Sequence, residues 1–352
     1  MSGFKDIFGN NFMIGNIYTT ATKTGKDKDF VLENFNVLTA ENIMKPMYIR
    51  EAEGVYNWDQ TDEFIEFAIA NNINIVGHTF VWHEQSPDWL TEGTRTEVIP
   101  KMKKYITDVI ERYKGKIMSW DVCNEVFTTF GEIERLENPP QGQPNWRDAL
   151  RTNDNSRWSK AFSQDDGDIG EFIYLAFKFA READPSTILY YNDFCLDYPA
   201  KREAVYQMVK ELNERYANET GETRKLIEGI GMQSHYNLVE TKIQNVRDSI
   251  DKFASLGVRI SVSELDIAIT VVSHDWNKST PEIKLTPEIE EEQAKMYSDL
   301  FKLYIEKQEY IERVTFWGCD DGTHWRKKYF PTIRHADLSH KLAYSALTDL
   351  KI

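Results

Sequence analysis

Two short stretches of this chain end in a carboxylate and have the residue types that acid–base chemistry needs. Residues 120–125 read WDVCNE and residues 261–267 read SVSELDI, so that apolar, β-branched runs lead to Glu125 and Glu264. Such runs are typical of buried strands that place an acid at the edge of a sheet. Two acids on separate strands can cleave a glycosidic bond, because one protonates the leaving oxygen while the other attacks or stabilises the sugar carbon.

A structural role is the alternative for either acid taken alone, because carboxylates at strand ends also form salt bridges. Two acids in aromatic or amide-rich contexts on separate strands favour catalysis. If Glu125 and Glu264 face each other, repulsion between like charges separates their pKa values. We therefore expect one acid to stay protonated at neutral pH and the other to be ionised as the nucleophile.

Further polar and aromatic residues have the types that bind sugars. Glu41, Asn42 and Lys45 form a compact polar group after a predicted strand, and such groups hydrogen-bond sugar hydroxyls. Ordinary helix caps are the alternative explanation for this group. Trp317 and Trp325 offer rings on which sugars stack. Core packing is the alternative for both tryptophans, and it fits Trp325 less well because charged residues flank it.

Two histidines lie in residues 77–83, which read GHTFVWH. A metal site that includes His235 is one interpretation, but neither an H-x-H nor an H-E-x-x-H arrangement is present. We therefore predict no metal and no organic cofactor. His78, at the end of a predicted strand, is expected to reach a ligand, whereas a structural role suits His83.

Short β-rich runs alternate with longer amphipathic stretches along the chain. Eight strands are predicted at 13–17, 37–39, 73–78, 117–122, 187–191, 227–232, 259–263 and 313–317. Eight helices are predicted at 26–34, 59–71, 97–113, 169–183, 200–216, 239–256, 287–307 and 338–347. This alternation predicts an α/β fold, a parallel (β/α)8 TIM barrel, with an open doubly wound sheet as the alternative.

Polar residues end or follow most of the predicted strands, which favours the closed barrel. A barrel carries its chemistry at the carboxyl ends of the strands around a full ring, whereas an open sheet concentrates its site at one crevice. The residues in question are Glu41, Asn42, His78, Asn124, Glu125, Asn192, Asp193, Gln233, His235, Glu264, Asp266 and Trp317.

Length and composition fit one large catalytic domain. The 352 residues contain no Gly/Ser-rich or Pro-rich linker, so we predict a single domain over residues 1–352. Between the fourth strand and the fourth helix, a long rim loop is predicted at about 128–168, and such loops often shape a cleft. The three cysteines match no disulfide framework and no zinc motif, so we expect buried free thiols.

The net charge of −15 argues against nucleic acids and anionic membranes as partners. No apolar run approaches the ~18–20 residues that a membrane span needs, and the N-terminus lacks a signal-peptide pattern. If Met1 is the native start, we expect a cytoplasmic protein, and if a signal peptide was removed, a secreted one. The sequence leaves the oligomeric state open, and we favour a monomer.

Seven stretches resemble, in order, motifs of the family 10 glycoside hydrolases, most of which are endo-β-1,4-xylanases. They are residues 38–45 (LTAENIMK), 77–83, 120–125, 191–193 (YND), 229–235 (GIGMQSH), 261–267 and 316–318 (FWG). Together these motifs are highly specific. The resemblance implies a (β/α)8 barrel that hydrolyses internal β-1,4 bonds of xylan or xylo-oligosaccharides.

The resemblance also implies roles for individual residues. Glu125 would be the acid/base and Glu264 the nucleophile of a retaining double displacement, with their carboxyl groups ~5–5.5 Å apart. Asn124 would hold the sugar 2-hydroxyl, and His235 would help to set the charge of the nucleophile. The remaining subsite residues would be Glu41, Asn42, Lys45, His78, Trp82, Gln85 and Gln233, with Trp317 and Trp325 as aromatic walls. A cis peptide bond between His78 and Thr79 is also expected.

The chain departs from the family pattern at several positions. Phe194 stands where a Tyr is common, which keeps a stacking face but removes a hydroxyl on the leaving-group side. Cys123 replaces an aliphatic residue, and Pro46 replaces an aromatic one. Residues 326–331 (RKKYFP) lack the usual Pro-Leu-Leu-Phe run, which affects the far end of the non-reducing-side cleft.

Two other functions stay open at this stage. A β-1,4-glucanase of a related barrel family also places acids after its fourth and seventh strands, but residues 41–45 and 77–83 argue against it. A non-catalytic sugar-binding barrel would keep the cleft, but pseudoenzymes usually lose one acid, and both Glu125 and Glu264 are present.

Overall fold

Parallel strands form the centre of the molecule in a computed structural model. The structure describes residues 3–128, 145–152, 154–164, 167–272 and 282–351. The strands are β1 (Met13–Tyr18), β2 (Val37–Ala40), β3 (Asn74–Val81), β4 (Ser119–Asn124), β5 (Ile188–Asp193), β6 (Gly229–Met232), β7 (His235–Asn237), β8 (Arg259–Ala268) and β9 (Ile311–Phe316).

Helices surround these strands. They are α1 (Phe4–Ile7), α2 (Gly25–Asn34), α3 (Pro46–Ile49), α4 (Asp59–Ala70), α5 (Asp88–Thr91), α6 (Arg95–Tyr113), α7 (Arg157–Phe162), α8 (Glu171–Ala183), α9 (Pro199–Thr220), α10 (Ile243–Ala254), α11 (Pro287–Glu306) and α12 (Leu342–Thr348). Local sequence explains several of their ends. Thr94 and Glu97 form a capping box at the start of α6. Pro199 is the first residue of α9, and Gly221 ends it at a φ of 75°.

Hydrogen bonding closes the sheet into a barrel. The parallel ladder runs from β1 through β2, β3, β4 and β5 to β6, continues from β6 to β8 and β9, and returns to β1. The short strand β7 continues beyond β6 and pairs with the far end of β8. The predicted (β/α)8 barrel is therefore confirmed, and the open sheet is excluded. No helix in the described ranges is both long and apolar enough to cross a membrane.

Strand β8 is longer than the prediction, which ended it at residue 263. It continues to residue 268 because His235 in β7 pairs with Asp266, and because the N–H of Glu264 donates to the carbonyl of Gln233 at 2.9 Å. Glu264 and Asp266 therefore lie inside a strand and not in the loop after it.

Two predicted helices begin later than expected, because side chains close turns before them. The Asn237 side chain accepts the N–H groups of Val239 and Glu240, so the helix predicted from 239 begins at Ile243. The Asp337 side chain accepts the N–H of Ser339, and the helix predicted from 338 begins at Leu342. Such side-chain turns compete with helix starts.

The stretch predicted as a rim loop at 128–168 contains local structure. Part of it, 129–144, 153 and 165–166, lies outside the described residues. The rest includes a 3₁₀ turn at Trp146–Ala149 and the helix α7. Trp146 and Trp158 are buried, so these tryptophans belong to the core. All three cysteines are free, with Cys123 and Cys319 buried and Cys195 only half-buried.

Candidate active site

The carboxyl ends of the barrel strands surround a cleft of about 600 Å³. Its walls include both predicted catalytic acids, Glu125 and Glu264. They also include every predicted substrate-binding residue, namely Glu41, Asn42, Lys45, His78, Trp82, Gln85, Asn124, Gln233, His235, Trp317 and Trp325. The structure thus brings all thirteen positions to one cavity.

Glu125 is placed by the end of β4. Between Asp121 and Cys123 the register of β4 against β5 shifts by one residue, which lets Asp121 and Asn124 point into the barrel although three positions separate them. Glu125 follows at a φ of 53°, and its N–H donates to the carbonyl of Asn192 at 3.0 Å. This backbone turn directs its carboxyl group into the cleft.

Hydrogen-bond donors surround the carboxyl group of Glu125. Gln233 Nε2 donates to Oε1 at 2.9 Å, and Trp82 Nε1 donates to Oε2 at 3.0 Å. The Arg151 guanidinium lies 3.9 Å from Oε2 and also donates to the backbone carbonyl of Glu125 at 2.8 Å. These contacts fix both oxygens, and among the described residues no cation lies within hydrogen-bonding distance of them.

The pKa of Glu125 is held below its ordinary value. Burial raises it, but charge on His83, the hydrogen bonds from Gln233 and Trp82, and the charge of Arg151 together lower it further. Burial lowers the pKa of His83 to about 4, so the charge of this ring acts on Glu125 only at acidic pH, whereas Gln233, Trp82 and Arg151 act at every pH. The expectation of a protonated acid at neutral pH is wrong for Glu125 in the ligand-free cleft, because these donors stabilise its ionised form.

Glu264 owes its position to a bulge in β8. Between Val262 and Leu265 the register against β9 gains one residue on β8, so that Ser263 and Glu264 both turn inward. Glu264 is 5% exposed. Its Oε1 accepts from Asn192 Nδ2 at 2.7 Å, and its Oε2 lies 3.1 Å from His235 Nε2.

His235 bridges two carboxylates. Its Nδ1 lies 2.8 Å from Asp266 Oδ2, on the side opposite Glu264. Burial lowers the pKa of His235, but the charge of Asp266 and the hydrogen bonds to Asp266 and Glu264 raise it to about 9. The ring is therefore an imidazolium at neutral pH and donates both N–H groups. Asp266 in turn accepts from Arg326 Nη1 at 2.6 Å.

The stability of the protein is expected to depend on the protonation of His235. Because its folded-state pKa is about 9 and its ordinary value is 6.5, its contribution is complete below pH 6.5 and is lost as the pH rises through 9. A shift of this size corresponds to ~3 kcal/mol. Urea unfolding gives the free energy of unfolding at pH 6 and at pH 9.5. Its decrease between these pH values should be ~3 kcal/mol larger in the unmodified protein than in His235→Gln. Equal losses in both proteins would contradict the assignment.

Asn192, in β5, connects the two acids. Its Nδ2 donates to Glu264 Oε1 and, at 2.9 Å, to Asn124 Oδ1, while its Oδ1 accepts from Ser263 Oγ at 2.6 Å. Gln233 Nε2 donates to the same Asn124 oxygen at 3.2 Å and to Glu125. A continuous set of amide hydrogen bonds therefore spans the space between Glu125 and Glu264.

Gly231 provides the space for this network. A Cβ at Gly231 would lie 2.2 Å from Asn192 Oδ1, which is far inside van der Waals contact. We expect Gly231→Ala to cost ~1–3 kcal/mol of unfolding free energy and to lower kcat roughly 100-fold by displacing Asn192. The matched control is Gly229→Ala, whose Cβ would meet the Tyr190 ring at 2.2 Å. Both variants should lose stability, and a comparable loss of kcat in both would contradict the role of Asn192.

Lys45 organises the polar group on the β2–β3 side of the cleft. Its ammonium donates to Asn42 Oδ1 at 3.0 Å and to Gln85 Oε1 at 2.8 Å, and lies 4.6 Å from the centre of the Trp82 ring. Burial lowers the pKa of Lys45, although the nearby carboxylates oppose this effect. Burial raises the pKa of Glu41, because it disfavours the charged form of either group. The group is thus ordered before any ligand binds.

His78 is held from inside the barrel. Its Nδ1 lies 2.9 Å from Asp121 Oδ2, and because a carboxylate only accepts, this nitrogen carries a proton. Asp121 in turn lies 3.6 Å from the buried Arg313 guanidinium. The expected cis peptide bond between His78 and Thr79 is present. The His78 ring contacts the Trp317 ring edge-on, with centroids 5.6 Å apart.

The two tryptophans differ in exposure. Trp317 is buried, whereas Trp325 is 45% exposed at the mouth of the cleft. Their ring centres lie 6.4 Å and 5.4 Å from the His235 ring, respectively. Trp325 therefore offers the more accessible stacking face.

Sequence reasoning missed several residues that shape the site. Arg151 lies in the stretch 128–168, where no pattern singles out a single arginine. In the sequence, Arg326 stood out only as one of the charged residues that flank Trp325. Asn192 was visible as a polar residue after a strand, but nothing in its motif predicted a link between the acids. Within the described ranges, no cluster of three or more His, Cys, Asp or Glu residues has a metal-holding arrangement.

The geometry agrees with what comparison to known proteins finds. The family description "Glycosyl hydrolase family 10" matches residues 3–350. The chain belongs to glycosyl hydrolase family 10. This family 10 hydrolase is similar to endo-1,4-beta-xylanase A of Xylanibacter ruminicola, with 33% identity over 343 residues that cover 91% of this chain and 84% of the relative. Endo-1,4-beta-xylanase A of Thermotoga maritima is 35% identical over 336 residues, which cover 92% of this chain but 28% of the longer relative.

Solved structures give the same family. A termite-gut family 10 xylanase with a bacterial Ig-like domain superposes on the hydrolase with a TM-score of 0.84 and 36% identity, covering 99% of this chain and 77% of that one. A family 10 structure from Paenibacillus barcinonensis superposes with a TM-score of 0.85 and 30% identity, covering 100% and 99%. The resemblance stated from the motifs is therefore confirmed.

Proposed function

We propose that this family 10 hydrolase is a retaining endo-β-1,4-xylanase that acts on xylan or xylo-oligosaccharides through a glycosyl-enzyme intermediate. One observation carries the proposal. Glu125 and Glu264 face one cleft, and Asn192, Asn124 and Gln233 join them through hydrogen bonds. We expect a separation of ~5–5.5 Å between the two carboxyl groups, because direct attack leaves no room for a water molecule between acid and sugar.

In the first step the Glu264 carboxylate attacks the anomeric carbon while Glu125 protonates the leaving oxygen. A carbon–oxygen bond to Glu264 forms as the glycosidic carbon–oxygen bond breaks, and the departing sugar takes the proton. The hydrogen bond from Asn192 fixes the orientation of Glu264, and the imidazolium of His235 favours its ionised form. Asn124 is assigned to the 2-hydroxyl of the sugar that is attacked.

Glu125 needs a proton for this step although its pKa is low in the empty cleft. A bound sugar chain excludes water and makes an ionised carboxylate less favourable, which raises the pKa of Glu125 in the complex. In the second step Glu125 accepts a proton from water, which attacks the intermediate and releases Glu264. Two inversions give net retention at the anomeric carbon.

We assign the two sides of the scissile bond to the two sides of the cleft. Sugars toward the non-reducing end lie against Glu41, Asn42, Lys45, His78 and Gln85, with Trp317 and Trp325 as aromatic walls. The leaving group lies on the opposite side, against Phe194, where the missing tyrosine hydroxyl removes one contact. The names of the relatives from X. ruminicola and T. maritima support xylan as the substrate.

The test follows the products of xylohexaose by proton NMR. Retention predicts that the β-anomer of the new reducing end appears first and then equilibrates with the α-anomer. Initial release of the α-anomer would overturn the double displacement. Reducing-sugar release from soluble xylan and carboxymethylcellulose separates the xylanase from the β-1,4-glucanase alternative. The faster reaction must be with xylan, and the absence of hydrolysis of both polymers and xylohexaose would leave a sugar-binding barrel.

A further inference from the structure

The two acids divide the rim of the barrel into two unequal arcs. Glu125 follows β4 and Glu264 lies in β8, so β5, β6 and β7 are on one side and β9, β1, β2 and β3 on the other. We call the first side the β5–β7 arc and define it as residues 194–198 and 237–241, most of which line the cleft. Under the proposed function, the β5–β7 arc receives the leaving-group sugars.

Asp197 is the feature of the β5–β7 arc that no step of the mechanism uses. It lines the cleft and is only 5% exposed. Among the residues that the structure describes, no side chain forms a hydrogen bond or an ion pair with its carboxyl group. A buried carboxylate normally has such a partner. The carboxyl group of Asp197 has only its own backbone N–H as a partner, and because it opens on the cleft, it is available to a ligand.

A second acid lies on the same arc. Glu240 is exposed, lines the cleft, and accepts a hydrogen bond from Asn237 Nδ2 at 3.1 Å. Within the described cleft wall, residues 194–198 and 237–241 include no lysine or arginine. The opposite arc differs, because Lys45 is part of its wall. The β5–β7 arc thus carries negative charge with no lysine or arginine among its own residues; Arg326, which also lines the cleft, is paired with Asp266.

The cations nearest to Asp197 come from α9 and have other partners. Lys201 is fully buried and donates to Asp193 Oδ1 at 2.6 Å. Arg202 donates to the carbonyl of Asn245 at 3.3 Å and to Ser249 Oγ at 3.2 Å. Neither lines the cleft.

Burial gives the carboxyl group of Asp197 a raised pKa, which its charged neighbours change only in part. Burial raises the pKa of Asp197 to about 6, its own backbone N–H, Arg202 and Lys201 oppose this, and Glu240 adds to it. Burial also raises the pKa values of Cys195 and Tyr198 to about 12, so these neighbours stay uncharged near neutral pH. The phenol of Tyr236 is likewise uncharged.

We propose that Asp197 and Glu240 make the leaving-group side of the cleft selective against anionic branches. The enzyme then cleaves beside xylose units that are unbranched or carry a neutral branch, in preference to units that carry glucuronic acid. This inference rests on the proposed function. Carboxylates accept hydrogen bonds from sugar hydroxyls, but they repel the carboxylate of a uronic acid. Specificity then comes from an unfavourable contact with the rejected substrate.

The test compares three xylo-oligosaccharides of equal backbone length, which are linear, branched with one arabinose, or branched with one glucuronic acid. Mass spectrometry of the products gives the position of the branch relative to each cleaved bond. For cleavage with the glucuronic acid on the leaving-group side, we expect a kcat/KM roughly tenfold below that of the linear substrate at pH 7.5. We define the ratio as kcat/KM for the glucuronic acid substrate divided by kcat/KM for the linear substrate, and Asp197→Asn should raise it by a similar factor. The arabinose branch controls for size and should show no such change of ratio.

A matched control variant removes one charge elsewhere. Glu309 is exposed and precedes β9 at the opposite end of the barrel, so Glu309→Gln should leave the ratio unchanged. If the linear substrate is hydrolysed but the ratio in Asp197→Asn stays within twofold of the parent value, this inference is overturned and the proposed function is not. If the linear substrate is not hydrolysed, the proposed function fails and this inference fails with it.

The unmodified protein provides a second measurement that does not depend on folding of the variant. Between pH 7.5 and 5.5, Asp197 gains a proton, whereas the branch carboxylate stays ionised because carboxyl pKa values in water are near ~4. The relative kcat/KM on the acidic substrate should therefore rise roughly threefold as the pH falls. The titration of Glu125 and Glu264 affects both substrates and cancels in the ratio. A constant or falling ratio contradicts the proposal.

Discussion

Glu264→Ala is expected to lower the rate of xylan hydrolysis by at least ~10⁴-fold, the scale seen when a covalent nucleophile is removed. The variant keeps the acid Glu125 but has no group that can form the intermediate. Loss of the side chain also leaves Asn192 and His235 each without one partner. The measurement is reducing-sugar release from soluble xylan under identical conditions for both proteins, with circular dichroism to compare their folds.

The matched variant for this prediction is Glu264→Gln, which keeps the shape of the side chain and removes its negative charge. We expect a loss as large as that in Glu264→Ala, because an amide is a poor nucleophile. Azide is small enough to occupy the space that alanine leaves, and it should attack the sugar directly to give the inverted α-glycosyl azide. If Glu264→Gln retains more than a few per cent of the activity, Glu264 is not the nucleophile.

Glu125→Ala is expected to have an effect that depends on the leaving group. Hydrolysis of xylan should fall ~10²–10⁴-fold, the range of general acid catalysis. The dinitrophenyl glycoside of xylobiose has a leaving group, dinitrophenolate, that departs without protonation. The first step with this substrate should therefore proceed at nearly the original rate. The intermediate then accumulates because no base activates water, and a burst of dinitrophenol followed by a slow phase is the expected time course.

Azide again distinguishes the roles of the two acids. In Glu125→Ala it needs no general base, so it should release the intermediate as the β-glycosyl azide and remove the slow phase. The product configuration is opposite to that expected with Glu264→Ala. Equal losses on xylan and on the dinitrophenyl substrate, with no burst, would contradict the assignment of Glu125 as the acid/base.

The barrel was predictable because its signals are periodic and repeated. Eight apolar, β-branched runs alternate with eight amphipathic stretches, and each run buries its residues in a parallel sheet. The same pattern drew attention to Glu125, which directly follows β4, and to Glu264, although Glu264 proved to lie inside β8 and not at its end. The helix starts were less predictable, because the side chains of Asn237 and Asp337 form turns that local propensity does not reveal.

The details of the site depend on contacts between distant parts of the chain. Arg151 reaches Glu125 from a stretch without periodicity, and Arg326 reaches Asp266 across 60 positions. The bulges that turn Asp121 and Glu264 inward arise from pairing with neighbouring strands, and no single segment encodes them. The pKa of Glu125 is lowered, against the effect of burial, by His83, Gln233, Arg151 and Trp82, all distant in sequence, which explains why the sequence alone gave the opposite expectation for the empty cleft.

Most of the residues that hold the two acids do not titrate, and the exception, His235, stays protonated as the pH falls because its pKa is about 9. Asn124, Asn192, Gln233 and Trp82 contact the carboxyl groups through amide or indole groups, which neither gain nor lose protons between pH 3 and pH 10. Acidification therefore changes the charge of the two acids before it changes the groups that hydrogen-bond them. Activity lost in mild acid should therefore return at once on neutralisation, because the site only titrates and does not unfold.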